Sequence, residues 1–171
     1  MDEFQTALVD LLPRLRRFAR ALVRDAVQAD DIVQSAVERA LRARRQWQPG
    51  TRLDSWMFRI IRNAWIDETR AQRRRALVFG AEEEGMGVGA DPLPALEARL
   101  DLHRAQAALQ QLPDEQREAI ALVLVEGLGY AEAADVLEIP VGTLTSRLLR
   151  GRAALVRALA PVDGEDGSDR G

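Results

Sequence analysis

Apolar residues recur every three to four positions along most of this chain, and the pattern lapses over one long stretch, residues 78–94, made of Gly, Pro, acids and a few apolar residues. A period near 3.6 buries one stripe of a helix, whereas a half-buried strand needs strict alternation. The chain is therefore read as all-α: two small helical domains, residues 1–75 and 96–160, with a flexible acidic Gly/Pro-rich linker over 76–95 and a disordered acidic tail over 161–171. In the first block, Leu8, Leu11, Leu12, Leu15, Phe18, Ala19 and Leu22 share a face, with Pro13 inside the pattern as a start or a kink. A second helix is expected over residues 29–45, with Ile32, Val33, Ala36, Val37, Ala40 and Leu41 on one side. After Pro49-Gly50 a third carries Leu53, Trp56, Met57, Ile60, Ile61, Ala64 and Trp65 and ends in Arg73, Arg74 and Arg75.

In the second block, residues 96–112 make one amphipathic helix. Pro113-Asp114-Glu115 opens another, because Pro suits a first helical turn and acids suit its positive dipole end, and Gly127 stops it. Short helices over 130–137 and 141–159 follow, separated by Glu138-Ile139-Pro140, the arrangement of a helix-turn-helix. Ala133, Ala134 and Leu137 are expected to pack on Val141, Leu144 and Leu148, the small alanines letting the helices cross closely. Gly142, Thr143, Thr145, Ser146, Arg147 and Arg150 then face outward, and short hydroxyls with Arg near a helix N-terminus suit base edges and phosphates in a major groove. The plainer reading is a helical hairpin with a solvated Arg face.

Composition removes several classes of chemistry. The 171 residues contain no Cys and a single histidine, His103, which excludes disulfides and a Cys nucleophile and argues against a His-ligated metal or a serine-protease type triad. No constellation reads as catalytic, and neither a cofactor nor a small-molecule substrate is expected. No apolar run approaches the ~18 residues that span a bilayer. The opening Met-Asp-Glu-Phe-Gln lacks the basic and apolar stretches of a signal peptide, so a cytoplasmic location without membrane insertion is expected. The formal net charge is −3, yet its distribution is uneven. Residues 1–75 carry +6, and residues 141–157 hold four Arg and no acid, while the linker and tail are acidic. All 24 basic residues are Arg, whose fork suits phosphate and guanine.

Three motifs carry a resemblance. The run from Leu112 to Ala119 with the run from Ile139 to Leu148, the run from Ala29 to Gln34, and the run from Trp56 to Asp67 followed by Arg70 together resemble the extracytoplasmic-function sigma factors of the sigma-70 family. The likeness covers roughly residues 5–158, in order, and the phrase from Gln48 to Thr51 is similar to the general-stress-response subgroup. It implies that residues 1–75 bind core RNA polymerase and the minus-10 promoter element and that residues 96–160 read the minus-35 element. An anti-sigma protein as a further partner, and a stress- or signal-responsive role, are implied by the likeness alone.

The resemblance also implies roles for single residues. Asp30, Asp31, Gln34 and Ser35 fall on the surface that docks on a polymerase coiled coil, where carboxylates and an amide suit charge-assisted hydrogen bonds. The family usually has an acid at Ser35, and an acidic first helical turn is the plain alternative for Asp30 and Asp31. Asn63 falls where a flipped-out base is read, helped by Trp47, Thr51 and Arg52 of the preceding loop, while Arg59, Arg62, Arg70 and Arg73 to Arg75 hold the backbone. Trp56 and Trp65 read as core, and Asp67 as the partner of a nearby Arg. For minus-35 readout the implied set is Thr143, Thr145, Ser146, Arg147, Arg150 and Arg152. Thr145 stands where the family commonly has Lys, and Glu138 where it has the Gly of the turn; should that turn need positive φ, a non-Gly residue costs roughly 1 kcal/mol. The competing reading is a conventional helix-turn-helix regulator whose first domain senses a ligand or dimerises.

Overall fold

The computed structural model describes residues 1–80 and 96–161, so the linker and tail expectations for 81–95 and 162–171 lie outside the described residues. Three helices make the first bundle: α1 (Glu3–Leu22), α2 (Ala26–Arg42) and α3 (Leu53–Phe79), with a 3₁₀ turn at Arg44–Gln46. The second bundle holds α4 (Leu96–Gln111), α5 (Asp114–Ile120), α6 (Tyr130–Leu137) and α7 (Val141–Leu159). No strand occurs among the described residues.

Local capping explains where the helices depart from expectation. Pro13 neither starts nor divides α1, which begins ten residues earlier on a capping box: Gln5 N–H donates to Asp2 Oδ1 at 2.9 Å, and Asp2 N–H to Gln5 Oε1 at 3.1 Å. Pro13 is exposed while Leu8 and Leu15 are buried on either side, so packing holds the helix through the missing backbone bond. The second helix starts at Ala26 rather than Ala29, because the Asp25 carboxylate accepts from the N–H groups of Val27 and Gln28. It ends at Arg42, and Leu41 is exposed rather than on its buried face. α3 continues four residues past Arg75 to Phe79, into the stretch expected to be linker, with Gly80 at φ +80° after it. Pro113 takes the N-cap of α5 instead of its first turn.

α5 leads into a π-helical turn, Ala121–Val125, which Gly127 terminates at φ +72°. Glu138 is in the left-handed region, φ +56°, the one non-Gly positive φ among the described residues. The turn between α6 and α7 thus does require the conformation for which Gly is the low-cost residue. α6 packs on α7, and Ala133, Ala134, Leu137, Leu144 and Leu148 are buried there, whereas Val141 is half-exposed.

Phe18 and Phe58 meet edge-to-face at 4.9 Å between centroids in the centre of the first bundle, surrounded by Leu15, Leu22, Ile32, Met57, Ile61 and Trp65. The second core is built on Ile120, Leu122, Val136, Leu137, Leu144 and Leu148. The two cores are continuous: α1 packs on α4, α5 and the π turn, and α3 packs on α6. This docking decides what the site residues face.

Candidate nucleic-acid and polymerase interface

α2 packs on α1 and α3 and leaves Asp30, Asp31 and Gln34 in solvent. Because α2 starts at Ala26, Asp30 and Asp31 lie in its second turn rather than its first. The dipole's effect fades within the first turn, so the plain explanation for two acids there weakens. Ser35 is half-buried and with Asp31 lines a groove between α2 and α3 shared by Gln28, Arg39, Asp67 and Arg75. Asp67 pairs with Arg39 at 3.1 Å, as expected of it.

The loop before α3 turns at Gln48–Thr51, where Thr51 N–H bonds to Gln48 O at 3.1 Å and Gly50 takes φ +90°. Thr51 is exposed, but its hydroxyl donates back to the Gln48 carbonyl at 2.6 Å. Trp47 does not stand free: its ring packs 5.5 Å from that of Phe4, and its buried indole N–H has no partner among the described residues. Trp56 meets the same Phe4 edge-on and Trp65 is buried, so both are core.

The α3 arginines are where the structure adds most. Arg52, Arg59 and Arg62 all face acids of the second bundle. Arg52 bonds Glu132 and grips Asp54 at 2.7 Å; Arg59 reaches Asp135 through its backbone oxygen at 2.9 Å and its carboxylate at 3.3 Å; Arg62 holds Glu118 at 2.9 Å. Arg73 extends the series to Asp114 at 3.1 Å. The side chains of Asn63 and Arg70, by contrast, are exposed and pair with no described side chain.

Two arginines that periodicity did not mark belong to the same contact. Arg14 and Arg17 of α1 enclose Glu126, whose carboxylate is fully buried, at 2.9 to 3.2 Å. Arg14 also bonds Asp54 at 3.0 Å and lies over the Phe58 ring. Burial alone would push the Asp54 carboxyl up, but hydrogen bonds from Arg52, Arg14 and the Ser55 N–H hold it down to about 2. Burial pushes the Glu118 carboxyl up from the ordinary glutamate range, against the hydrogen bond from Arg62. A third unmarked residue is Arg117. It is buried and donates to the carbonyls of Leu109, Gln110 and Leu112 at the end of α4 and of Leu22 at the end of α1.

On α7, Gly142, Ser146, Arg150 and Ala153 form an exposed stripe, and Arg152 is also exposed. The side chains of Arg150 and Arg152 pair with no described side chain. Thr143 is half-buried, and the Thr145 hydroxyl donates to the Val141 carbonyl at 2.9 Å, the back-bond that a helical Thr favours. Arg147 is turned inward, its side chain 18% exposed, toward Glu115 at 3.6 Å and Glu118 at 3.9 Å. It lies three residues after buried Leu144 and four before buried Gly151, on the flank of the buried face.

The chain matches the family models Sigma-70 region 2 over residues 8–75 and Sigma-70, region 4 over residues 102–155. It is 38% identical over 168 residues to the ECF RNA polymerase sigma factor EcfG of Rhodopseudomonas palustris (strain TIE-1), covering 96% of this chain and 89% of the relative. Its fold is similar to the sigma factor RpoE crystallised in complex with the anti-sigma factor NepR from Bartonella quintana, with TM-score 0.83, 31% identity, 93% of this chain and 98% of that one. It is also similar to CnrH in complex with the cytosolic domain of CnrY, with TM-score 0.68, 28% identity, 91% of this chain and 86% of that one. The match of the first half to a sigma-70 region leaves the sensing or dimerising regulator without support. No helix among the described residues is long and apolar enough to cross a membrane. The chain belongs to the extracytoplasmic-function RNA polymerase sigma factors of the sigma-70 family, which direct core polymerase to promoters.

Proposed function

We propose that the first bundle binds core polymerase through the exposed acids of α2 and engages the minus-10 element through α3, while α7 of the second bundle reads the minus-35 element. The observation that carries this division is the order of the two sigma-70 matches, region 2 on the bundle with the Arg-rich α3 and region 4 on the bundle with the helix-turn-helix. In this reading Asn63 captures an unpaired base, Arg52, Arg59, Arg62 and Arg70 hold phosphate, and Trp47 shapes the loop through its packing on Phe4. Ser146, Arg150 and Arg152 are the α7 side chains best presented to a groove, with Thr143 beside them. The protein acts in the cytoplasm as a binding factor with no chemistry, cofactor or small-molecule substrate of its own, and its domain limits fall near residues 79 and 96. Because RpoE and CnrH were each crystallised with an anti-sigma factor, an anti-sigma protein is the proposed further partner, and the likeness to EcfG fits a general-stress role.

Transcription from a genomic library by core polymerase, with and without the chain, followed by sequencing of the transcript starts, tests the reading. Starts that appear only with the chain and share paired minus-10 and minus-35 elements support it. Identical starts without the chain, or tight dimeric binding of the isolated chain to a palindromic duplex, reject it.

A further inference from the structure

Most of α4 is left uncovered by the rest of the fold. Its last turns pack on α1 and α7, where Ala108 and Leu109 are buried, but no residue from 96 to 107 is buried. Leu96, Leu100, His103 and Ala107 recur at alternating spacings of four and three, so they fall on one narrow stripe. That spacing is the seam of a two-helix coil, narrower than the face by which a surface helix joins a core. Leu96 is 73% exposed and Leu100 50%. Where the stripe ends, α4 and the end of α7 enclose a groove of about 480 Å³ lined by Arg104, Ala107, Ala108, Leu159, Ala160 and Pro161. The half of α4 that carries large apolar side chains thus has nothing to pack on, while the half that carries small ones borders a groove. A contiguous exposed apolar stripe of this kind marks an interaction surface.

We infer that the partner of this surface is a second copy of the chain: two α4 helices pack antiparallel about a two-fold axis, and Leu96 of each copy enters the groove of the other. In that register Leu96 of one copy meets Ala107 of the other and Leu100 meets His103, each contact made twice by the symmetry. Charge selects the direction. Antiparallel, Glu97 of one copy lies beside Arg104 of the other; parallel, Arg99 of one would lie beside Arg104 of the other, like charge against like. Glu97 and Arg104 are both exposed, and a 3.9 Å approach to Asp101 leaves the Arg104 side chain 75% in solvent. Exposed pairs add little affinity and fix register instead. One helix supplies both the leucine and its groove, and both members of the ion pair, which is the self-complementarity that a second copy requires. A contact made by a single helix pair falls short of the ~1,200 Å² of a stable interface, so the dimer is weak and reversible, with a dissociation constant on the order of 10–100 µM.

Sedimentation equilibrium of the full chain, over concentrations spanning that constant, reads the dimer directly. It uses no DNA, so its failure leaves the promoter reading untouched. L96Q/L100Q keeps helix propensity at two exposed positions and is expected to weaken association by about ten-fold or more. E97R and R104E each set like charges across the seam and are expected to weaken it about three- to ten-fold. E97R/R104E is expected to regain the parent's affinity, and an equimolar mixture of the two single variants to form the mixed dimer in preference to either alone. A chain that stays monomeric throughout overturns the proposal; if L96Q/L100Q then also loses binding to core polymerase, the face belongs to polymerase. A dimer indifferent to L96Q/L100Q lies elsewhere on the surface and overturns it as well. Association that appears only after residues 162–171 are removed assigns the groove to the chain's own end instead. A tighter dimer in R104E alone overturns the antiparallel direction, since only a parallel pair gains from the loss of Arg104.

Discussion

Arg62 and Arg147, one from each bundle, converge on the same buried carboxylate: Arg62 Nε lies 2.9 Å from Glu118 Oε2 and Arg147 Nη1 3.9 Å from Glu118 Oε1. Glu118 is thus the point at which the two bundles and the two proposed DNA-reading helices are tied. A buried acid left without its cation is costly, so the pair is expected to be coupled. A double-mutant cycle with R62Q and E118Q, read by urea unfolding of the full chain, is expected to give a coupling of about 1–3 kcal/mol. Additive losses within ~0.5 kcal/mol would remove the tie.

Asp54 gives the stability a dependence on pH with a definite sign. Its carboxyl titrates near 2 in the fold against an ordinary value of 3.8, so the fold prefers the ionised form. That contribution is complete above about pH 4 and is lost as the pH falls toward 2. The stability difference between the parent and D54N is therefore expected to shrink from pH 5 to pH 2. A constant difference over that range would contradict the hold exerted by Arg52 and Arg14.

Arg117 satisfies carbonyl groups of two helix ends at once through its five-donor fork. R117A is expected to cost roughly 3–5 kcal/mol, because several buried carbonyls lose their donors together. R117K, with a point charge and fewer directions, should recover less than half of that. Full recovery by lysine in thermal unfolding would show that charge alone, not the fork, is what the site needs.

Gly151 allows α7 to lie on α5. A Cβ there would come within 2.9 Å of Ile120 Cγ1 and 3.3 Å of its Cδ1, and Ile120 is itself buried. G151A gains about 1 kcal/mol of helix propensity but forces a packed side chain to move, which costs about 1–3 kcal/mol. The net expectation is a small loss for G151A and a large one for G151V, measured by denaturant midpoint. A stabilised G151V protein would mean that the crossing is looser than described.

On the exposed stripe of α7, R150A is expected to weaken minus-35-dependent initiation by about 1–3 kcal/mol with stability unchanged. R147A should lower both initiation and stability, since its side chain bridges α7 to α5. N63A should impair opening of the promoter more than binding to the duplex, since a captured base exists only after strand separation. Equal effects of N63A in the two assays would exclude base capture.

The helices were legible because their causes are local. The apolar stripes of α3 and α7 lie at i, i+3 and i+4, the stop at Gly127 is one residue, and the limits of α6 and α7 agree with the expected 130–137 and 141–159. The misplaced starts of α1 and α2 were also local, in the carboxylates of Asp2 and Asp25, where Pro13 and Asp30-Asp31 drew attention instead.

The sequence by itself determined an all-helical chain in two blocks, a helix-turn-helix, and the family to which the motifs belong, while the left-handed Glu138 in its turn came from the structure. Only the tertiary structure decided which arginines are free. Arg62 and Arg70 look alike in the sequence, yet Arg62 is held by a carboxylate 56 residues away while Arg70 stands in solvent. Arg14 finds Glu126 across 112 residues in the same way. Helix period and caps depend on neighbours within a turn, whereas these pairs depend on how two preformed bundles dock through α1, α4 and α5. That docking is a property of folded surfaces, and no spacing along the chain records it.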